Sequence, residues 1–501
     1  MRLAVVATRA SRGIDAPPVR VETHLAGGLP SVSIVGLPET AVRESKDRVR
    51  SALVTSRFEF PVGRITLNLS PADLPKEGGR FDLPIAVGIL AASGQLPAAA
   101  LDRREFLAEL ALTGELRAVH GVLPAAIACA RAGRELIVAP ENADEAALPA
   151  GAKVIAARHL LDVCAHLSGD MPLPLHRPAA ETIAPETGPD LADVRGQAHA
   201  RRALEIAAAG AHSLLMIGPP GSGKTMLAAR LPGILPPLTT DEALEAAAVR
   251  SLRGPVPRSL LAGARPYRAP HHSASGSALA GGGAVPRPGE ISLAHHGVLF
   301  LDELPEFGRH VLEMLREPLE SGTVHIARSA RQVEFPARFQ LVAAMNPCPC
   351  GFLGDPERSC GYTCERAERY RGRLSGPLLD RIDIHVEVAA LPPSTLTAAG
   401  SGEPSAAVRE RVVAARGRQL ARQGCTNAAL DGRTLLEATA LQEPDREFLV
   451  AALEKMRLSA RATDRILRVA RTIADLAGEP RVARTALLEA LGLRALDRRP
   501  G

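Results

Sequence analysis

The stretch "MIGPPGSGKTMLAARLPGIL", residues 216–235, carries side chains and glycines suited to holding a phosphate chain. Gly218, Gly221, Gly223, Lys224 and Thr225 fit G-x-x-x-x-G-K-[ST] at every position, and Ser222 lies in the same loop. Glycine lets consecutive backbone N–H groups turn inward around phosphate oxygens. Lys224 is spaced to reach the β- and γ-phosphates of a nucleotide, and Thr225 to bind Mg²⁺ through its hydroxyl. The bland alternative is a glycine-rich turn that merely starts a helix. It does not account for a lysine and a threonine at these two places.

A second group follows 78 residues after Lys224, in "GVLFLDE". An apolar run ending in Asp302-Glu303 suits a site where Asp302 holds Mg²⁺ and Glu303 orients and deprotonates a water. A carboxylate pair at a strand end also caps helices, so it is the coupling to the loop that argues for hydrolysis. "LVAAMNPCP" supplies Asn346, whose amide either positions that water or makes a turn before Pro347. Arg381, in "SGPLLDRIDIHVEV", suits an arginine finger acting in a neighbouring subunit, or a surface ion pair with Asp380 or Asp383. Arg461, in "RLSARATDRIL", begins a helix and either folds over the nucleotide or lies on the surface.

These residues need elements to position them. "SLLMI", "GVLFL" and "FQLVAAM" are continuous apolar runs, as expected for parallel strands buried on both faces. After about residue 390 the pattern turns helical, and "ATDRILRVARTIADL" sets Ile466, Val469, Ile473 and Leu476 on one face. Residues 1–168 mix strand-like runs ("SVSIVGL", "RITLNLS", "ELIVAP", "AKVIAA") with helical ones ("ETAVRESKDRVRSAL", "PIAVGILAAS", "LPAAIACARAG"). Residues 169–190 are rich in proline and aperiodic, and read as a linker. The division is therefore 1–168, linker 169–190, an ATPase core 191–390 and a helical segment 391–501.

The order of loop, "LFLDE", Asn346, "LLDRID" and helical segment resembles the AAA+ ATPases. More narrowly it resembles the magnesium-chelatase subunit I-like group. "RPYRAPHHSASGSALAGGGAVPRPGEISLAHHGVLFLDELPEF" and "AAMNPCPCG" resemble the ComM/YifB branch of that group. The resemblance implies an α/β chain with a P-loop AAA+ core around a parallel sheet and a C-terminal helical lid. It implies the roles given above for Lys224, Thr225, Asp302, Glu303, Asn346, Arg381 and Arg461, with ATP and Mg²⁺ as cofactors. It also implies a homo-hexameric ring, since an arginine finger needs a neighbour. "DLPKEGGRFDLPIAVGILAASG" and "LTGELRAVHGVLPAAIACARAG" resemble the Lon-protease-like domain of the ribosomal S5 domain 2-like fold. The Ser-Lys dyad of a working Lon site is missing, with Arg80-Phe81-Asp82 and Leu123 in its place, so a noncatalytic domain is expected.

What such a ring moves is less direct. "ESGTVHIARSARQVEFPARF" reads as a hairpin with Arg328 and Arg331 near its tip. Related AAA+ proteins point such a hairpin into a central pore, where arginine suits a DNA backbone; an ordinary exposed hairpin is the even alternative. Few aromatics are available for stacking, so backbone contact without sequence readout is expected. Cys348, Cys350, Cys360 and Cys364 fall within 17 residues, enough ligands for a structural Zn²⁺ or else a reduced, metal-free loop. His271 and His272 are candidate ligands or plain polar surface.

The formal charge of +5 is mild and allows an acidic polymer as partner without requiring one. There is no run of eighteen apolar residues and no evident signal peptide, so a cytoplasmic protein without a membrane partner is expected. Four function classes remain. One is an ATP-driven DNA motor, for which the resemblance implies branch migration of recombination intermediates in natural transformation. The others are a chelatase-type remodeller, an ATP-dependent protease, which the missing dyad disfavours, and a regulatory ATPase with a protein client.

Overall fold

The computed structural model describes residues 3–178, 188–283, 286–328, 331–353, 360, 364–392, 402–456, 458–494 and 496, without the side chains of Arg328, Arg331, Cys364 and Ala460. Two compact units emerge: residues 1–183 with 247–261, and residues 184–246 with 262–501.

In the first unit, strands Leu3–Arg9 (β1), Pro18–Ala26 (β2), Ser31–Val35 (β3), Arg64–Ser70 (β4), Arg104–Leu107 (β5), Glu135–Val138 (β6) and Lys153–Ala156 (β7) form one sheet. Its order is β3-β4-β2-β1-β5-β6-β7. β2 runs antiparallel to β1 and β4, and the remaining neighbours are parallel. The alternation in β4 buries Ile65, Leu67 and Leu69. β1, β2 and β5 are additional to the runs read as strands from sequence. In β1, Leu3 and Val5 are exposed although apolar, which hides the inward alternation of Ala4, Val6 and Thr8.

Two helices cover this sheet's core, Thr40–Thr55 (α1) and Asp82–Ala92 (α2). α2 is apolar all round, and all of its residues are buried. Its first residue, Asp82, accepts from Arg48 Nε at 2.8 Å and Ser45 Oγ at 2.5 Å. Leu123 is wholly buried in the same unit. Residues 247–261 belong here too: Ser251 accepts from the N–H of Gly121 (2.9 Å) and, through its hydroxyl, from that of Leu123 (3.4 Å). Of the segment read as a linker, His176 donates its N–H to Val154 of β7 at 2.7 Å, and residues 179–187 lie outside the described set.

The second unit holds Leu214–Ile217 (β8), Tyr267–Arg268 (β9), Val298–Leu301 (β10), the hairpin Thr323–Arg328 (β11) and Arg331–Pro336 (β12), Gln340–Met345 (β13) and Ile384–Glu387 (β14). β9-β10-β13-β8-β14 is an all-parallel sheet. Every residue of β8, β10 and β13 is buried, as the continuous apolar runs require. Helices Ala198–Gly210 (α3), Lys224–Ala228 (α4), Ser405–Gln423 (α5), Ala460–Ala477 (α6) and Arg484–Gly492 (α7) flank it. Ile466, Val469 and Ile473 are buried in one core with the sheet, and Leu476 packs against it. Among the described residues no helix is long and apolar enough to cross a membrane.

A histidine pair closes the approach to β10. His295 is buried; its Nδ1 accepts from the Arg338 N–H at 3.0 Å, while its Nε2 lies 3.3 Å from Glu245. Burial, then the neighbouring His296, holds its pKa down to about 4, below the ordinary 6.5. A depressed base stays neutral in the folded chain, while the unfolded chain takes up a proton below about 6.5. This stability is therefore present above pH 6.5 and lost as pH falls towards 4. Thermal unfolding midpoints are expected to drop between pH 7 and pH 5, and to drop less in His295→Asn, whose Oδ1 takes the place of Nδ1 as the acceptor for Arg338. An equal drop in the variant would assign the effect to other groups.

Candidate nucleotide-binding site

The parallel sheet delivers three chain segments to one end. β8 and β13 pair with Ile217 opposite Met345, and β10 and β13 with Leu301 opposite Ala343. The next residues out, Gly218, Asp302 and Asn346, therefore leave the sheet at the same end, Gly218 level with Asn346 and Asp302 two residues lower. Gly218 N–H donates back to Met345 at 3.2 Å, and a Cβ at Gly218 would come 2.1 Å from the Val388 carbonyl oxygen. Only glycine fits there. Gly221 and Gly223 adopt φ of 76° and 93°, the left-handed region that turns the loop back on itself.

Lys224 opens α4 and is buried. Its Nζ donates to the carbonyls of Gly218 and Pro219, both at 2.8 Å, and to Asn346 Oδ1 at 3.3 Å. Burial lowers its pKa, outweighing the opposing charges of Asp302 and Glu303. Thr225 donates its hydroxyl proton to Asp302 Oδ2 at 2.7 Å. The other Asp302 oxygen accepts the Glu303 N–H at 2.9 Å. Glu303 itself has φ of 51°, unusual for a residue with a side chain. Its Oε2 lies 3.2 Å from His272 Nδ1.

Gly218, Gly221, Ser222, Gly223, Lys224, Thr225, Asp302, Glu303 and Asn346 thus form one site. Its donor set fits a triphosphate: a glycine loop with no room for side chains at its root, an ammonium, and the buried Ser222 hydroxyl, which has no partner among the described residues. The oxygens of Thr225 and Asp302 are the ones that would hold Mg²⁺.

Sequence reasoning missed two contributors. Gln197 donates through Nε2 to the carbonyls of Ser222 at 3.0 Å and Ala389 at 2.8 Å, tying the loop to the exit of β14. No spacing signals it. His272, which read as a ligand or plain surface, meets Glu303 because the chain leaves β9 at the same end of the sheet.

Two expected residues are not brought to this loop. Arg381 pairs with Glu320 and donates to the Pro377 carbonyl at 2.5 Å. Arg461 lies 3.9 Å from Asp380, which also pairs with Arg465 at 3.1 Å. Arg381 and Arg461 line a groove of about 960 Å³ with Ser213, Gly297 and Gln340, where β8, β10 and β13 begin. That is the opposite end of the strands. The expectation that Arg461 folds over the nucleotide is corrected for its own chain: α6 packs alongside α3 and carries Arg461 to the strand starts. The expected hairpin is present, with Arg328 paired to Arg331 at its last register position, but both side chains lie outside the described set. Cys348, Cys350 and Cys360 cluster, while Cys364 starts the helix Cys364–Arg371 with its side chain outside the description.

Three family models match in sequence: "Subunit ChlI of Mg-chelatase" over residues 21–142, "Magnesium chelatase, subunit ChlI" over 190–396, and "Magnesium chelatase, subunit ChlI C-terminal" over 402–494. The chain is 53% identical over 504 residues to competence protein ComM of Haemophilus influenzae, covering 99% of this chain and 98% of the relative. It is 52% identical over 500 residues to the protein YifB of Salmonella typhimurium, at the same coverage. The chain belongs to the ComM/YifB family. The protein YifB of Escherichia coli is 51% identical over 499 residues. As a magnesium chelatase-like AAA+ family, ComM/YifB implies an ATPase that uses ATP and Mg²⁺, and the loop and carboxylates described above are the matching parts.

Glu303→Gln is expected to bind ATP like the wild type but hydrolyse it about 10²-fold more slowly or worse. Lys224→Ala is expected to lose binding. Fluorescent-nucleotide titration and phosphate release separate the two. His272→Ala should leave nucleotide affinity within about twofold while changing kcat. An unchanged kcat would make the contact with Glu303 incidental.

Proposed function

We propose that the chain is an ATP-dependent DNA motor that works as a homo-hexameric ring and drives branch migration of recombination intermediates. The observation that carries the ring is the separation of Arg381 and Arg461 from the phosphate loop by the length of the sheet. A finger at the strand starts of one chain serves hydrolysis only in a neighbour's site. Support for DNA comes from the β11–β12 hairpin with Arg328 and Arg331 at its turn, which suits a phosphate backbone read without base contacts. The name of the Haemophilus relative, a competence protein, supports a place in natural transformation.

In this reading the first unit is a noncatalytic Lon-protease-like domain. Leu123 is buried, and Asp82 is held by Arg48 and Ser45, so neither position offers a nucleophile or a base. The C-terminal helices act as the lid. A second reading, remodelling of a protein client, is favoured by the magnesium-chelatase family models.

Two measurements test the proposal. Branched DNA is expected to stimulate ATP hydrolysis, and branches to move only with hydrolysable ATP and not with Glu303→Gln. Hydrolysis indifferent to every DNA form would replace DNA by a protein client. Lys224→Ala and Arg381→Ala, each inactive alone, are expected to regain activity when mixed, because the intact loop of one meets the intact finger of the other. No recovery on mixing would sink the shared site.

A further inference from the structure

The sulfurs of Cys348, Cys350 and Cys360 converge beside the nucleotide site. Cys348 and Cys350 are 3.3 Å apart, Cys350 and Cys360 3.5 Å, and Cys360 and Cys348 3.7 Å. A thiol is a weak hydrogen-bond donor, so mutual hydrogen bonding is a poor reason for three of them to meet. The triangle matches one face of a zinc–thiolate tetrahedron, whose Zn–S bonds of about 2.3 Å set sulfur–sulfur edges of roughly 3.8 Å. Cys348 is fully buried, and its sulfur accepts the Leu353 N–H at 3.3 Å, a contact that suits a thiolate held for a metal. Soft sulfur ligands select Zn²⁺ over the Mg²⁺ of the nucleotide site.

The cluster grips a turn with two ends in that site. Asn346, two residues before Cys348, accepts from Lys224. Gly351 closes the turn by donating its N–H to the Cys348 carbonyl at 3.0 Å, with φ of 83°. A Cβ on Gly351 would come 2.3 Å from Cδ of Pro220, in the phosphate loop. The turn is thus pressed against that loop at one end and joined to its lysine at the other.

We propose that Cys348, Cys350 and Cys360 bind Zn²⁺, with one further ligand completing the tetrahedron, and that the ion holds residues 346–351 against the phosphate loop. Zinc occupancy then sets ATP affinity; this half of the proposal rests on the nucleotide site assigned above.

Metal analysis of the intact chain is expected to find about one zinc per chain. Cys348→Ser and Cys350→Ser lose it, and Cys425→Ser, outside the cluster, keeps it. Replacement by Co²⁺ should give thiolate charge-transfer and tetrahedral d–d absorption, absent in the first two variants. Stripping zinc from the wild type with a chelator is expected to weaken ATP binding about tenfold, reversed by added Zn²⁺ alone. This arm does not depend on whether the serine variants fold. A chain without zinc, or zinc retained by Cys348→Ser, overturns the metal site. Zinc bound, with ATP affinity unmoved by stripping, overturns the coupling. Zinc bound, with no ATP binding in either form, overturns the nucleotide reading and leaves the metal site standing.

Discussion

The nucleotide site depends on the register of three parallel strands. β13 lies between β8 and β10, and its pairing with each brings the three strand ends to one side of the sheet, β8 ending level with β13 and β10 two residues earlier. Slipping any of them by one residue would turn its buried side chains to the other face. Such a slip would also move Gly218, Asp302 or Asn346 by about 3.3 Å. The apolar side chains of "LLMI", "VLFL" and "QLVAAM" therefore do two jobs. They bury the sheet on both faces, and they fix the relative heights of a loop, a carboxylate and an amide.

The same directionality creates the incompleteness that the proposed ring resolves. Parallel strands put every loop-side residue at one end and every approach segment at the other. Arg381 sits in the approach to β14, and Arg461 lies beside it through Asp380. A strand of four residues spans about 13 Å, more than an arginine side chain can cover. Geometry within one chain thus holds the phosphate-binding and arginine-bearing parts apart. Assembly of identical subunits is the simplest way to join them.

Legibility from sequence followed how local each signal is. The phosphate loop is contiguous, and its glycines answer steric demands that appear in the structure at Gly218, Gly221 and Gly223. Asp302 and Asn346 were legible because each ends an apolar run. Gln197 was not, since its two carbonyl partners lie 25 and 192 residues away. His272 was visible only as a candidate ligand or polar loop residue, because its meeting with Glu303 depends on β9 lying next to β10. Residues 247–261 lie inside the sequence of the ATPase core yet pack in the first unit. No composition shift marks that departure. β1 was missed for the opposite reason: its outward residues are apolar as well, so its two faces look alike in sequence.

Glu303 is the point where strand geometry and chemistry conflict. Successive residues of a strand face opposite ways, so a β10 continued straight would aim Asp302 and Glu303 apart. Hydrolysis needs both near the same phosphate. The chain resolves this by leaving the strand at Glu303 in a left-handed conformation, which costs a residue with a side chain roughly 1–3 kcal/mol. Three contacts offset that strain: the Glu303 N–H on Asp302, the Glu306 N–H on the Glu303 carbonyl at 2.8 Å, and His272 at its carboxylate. The first also orients the Asp302 carboxylate, leaving its other oxygen to Thr225. Burial lowers the pKa of Lys224, and the charges of both acidic groups oppose that shift, setting two carboxylates beside the ammonium that a phosphate chain needs. The strained residue and the buried lysine are two halves of one arrangement.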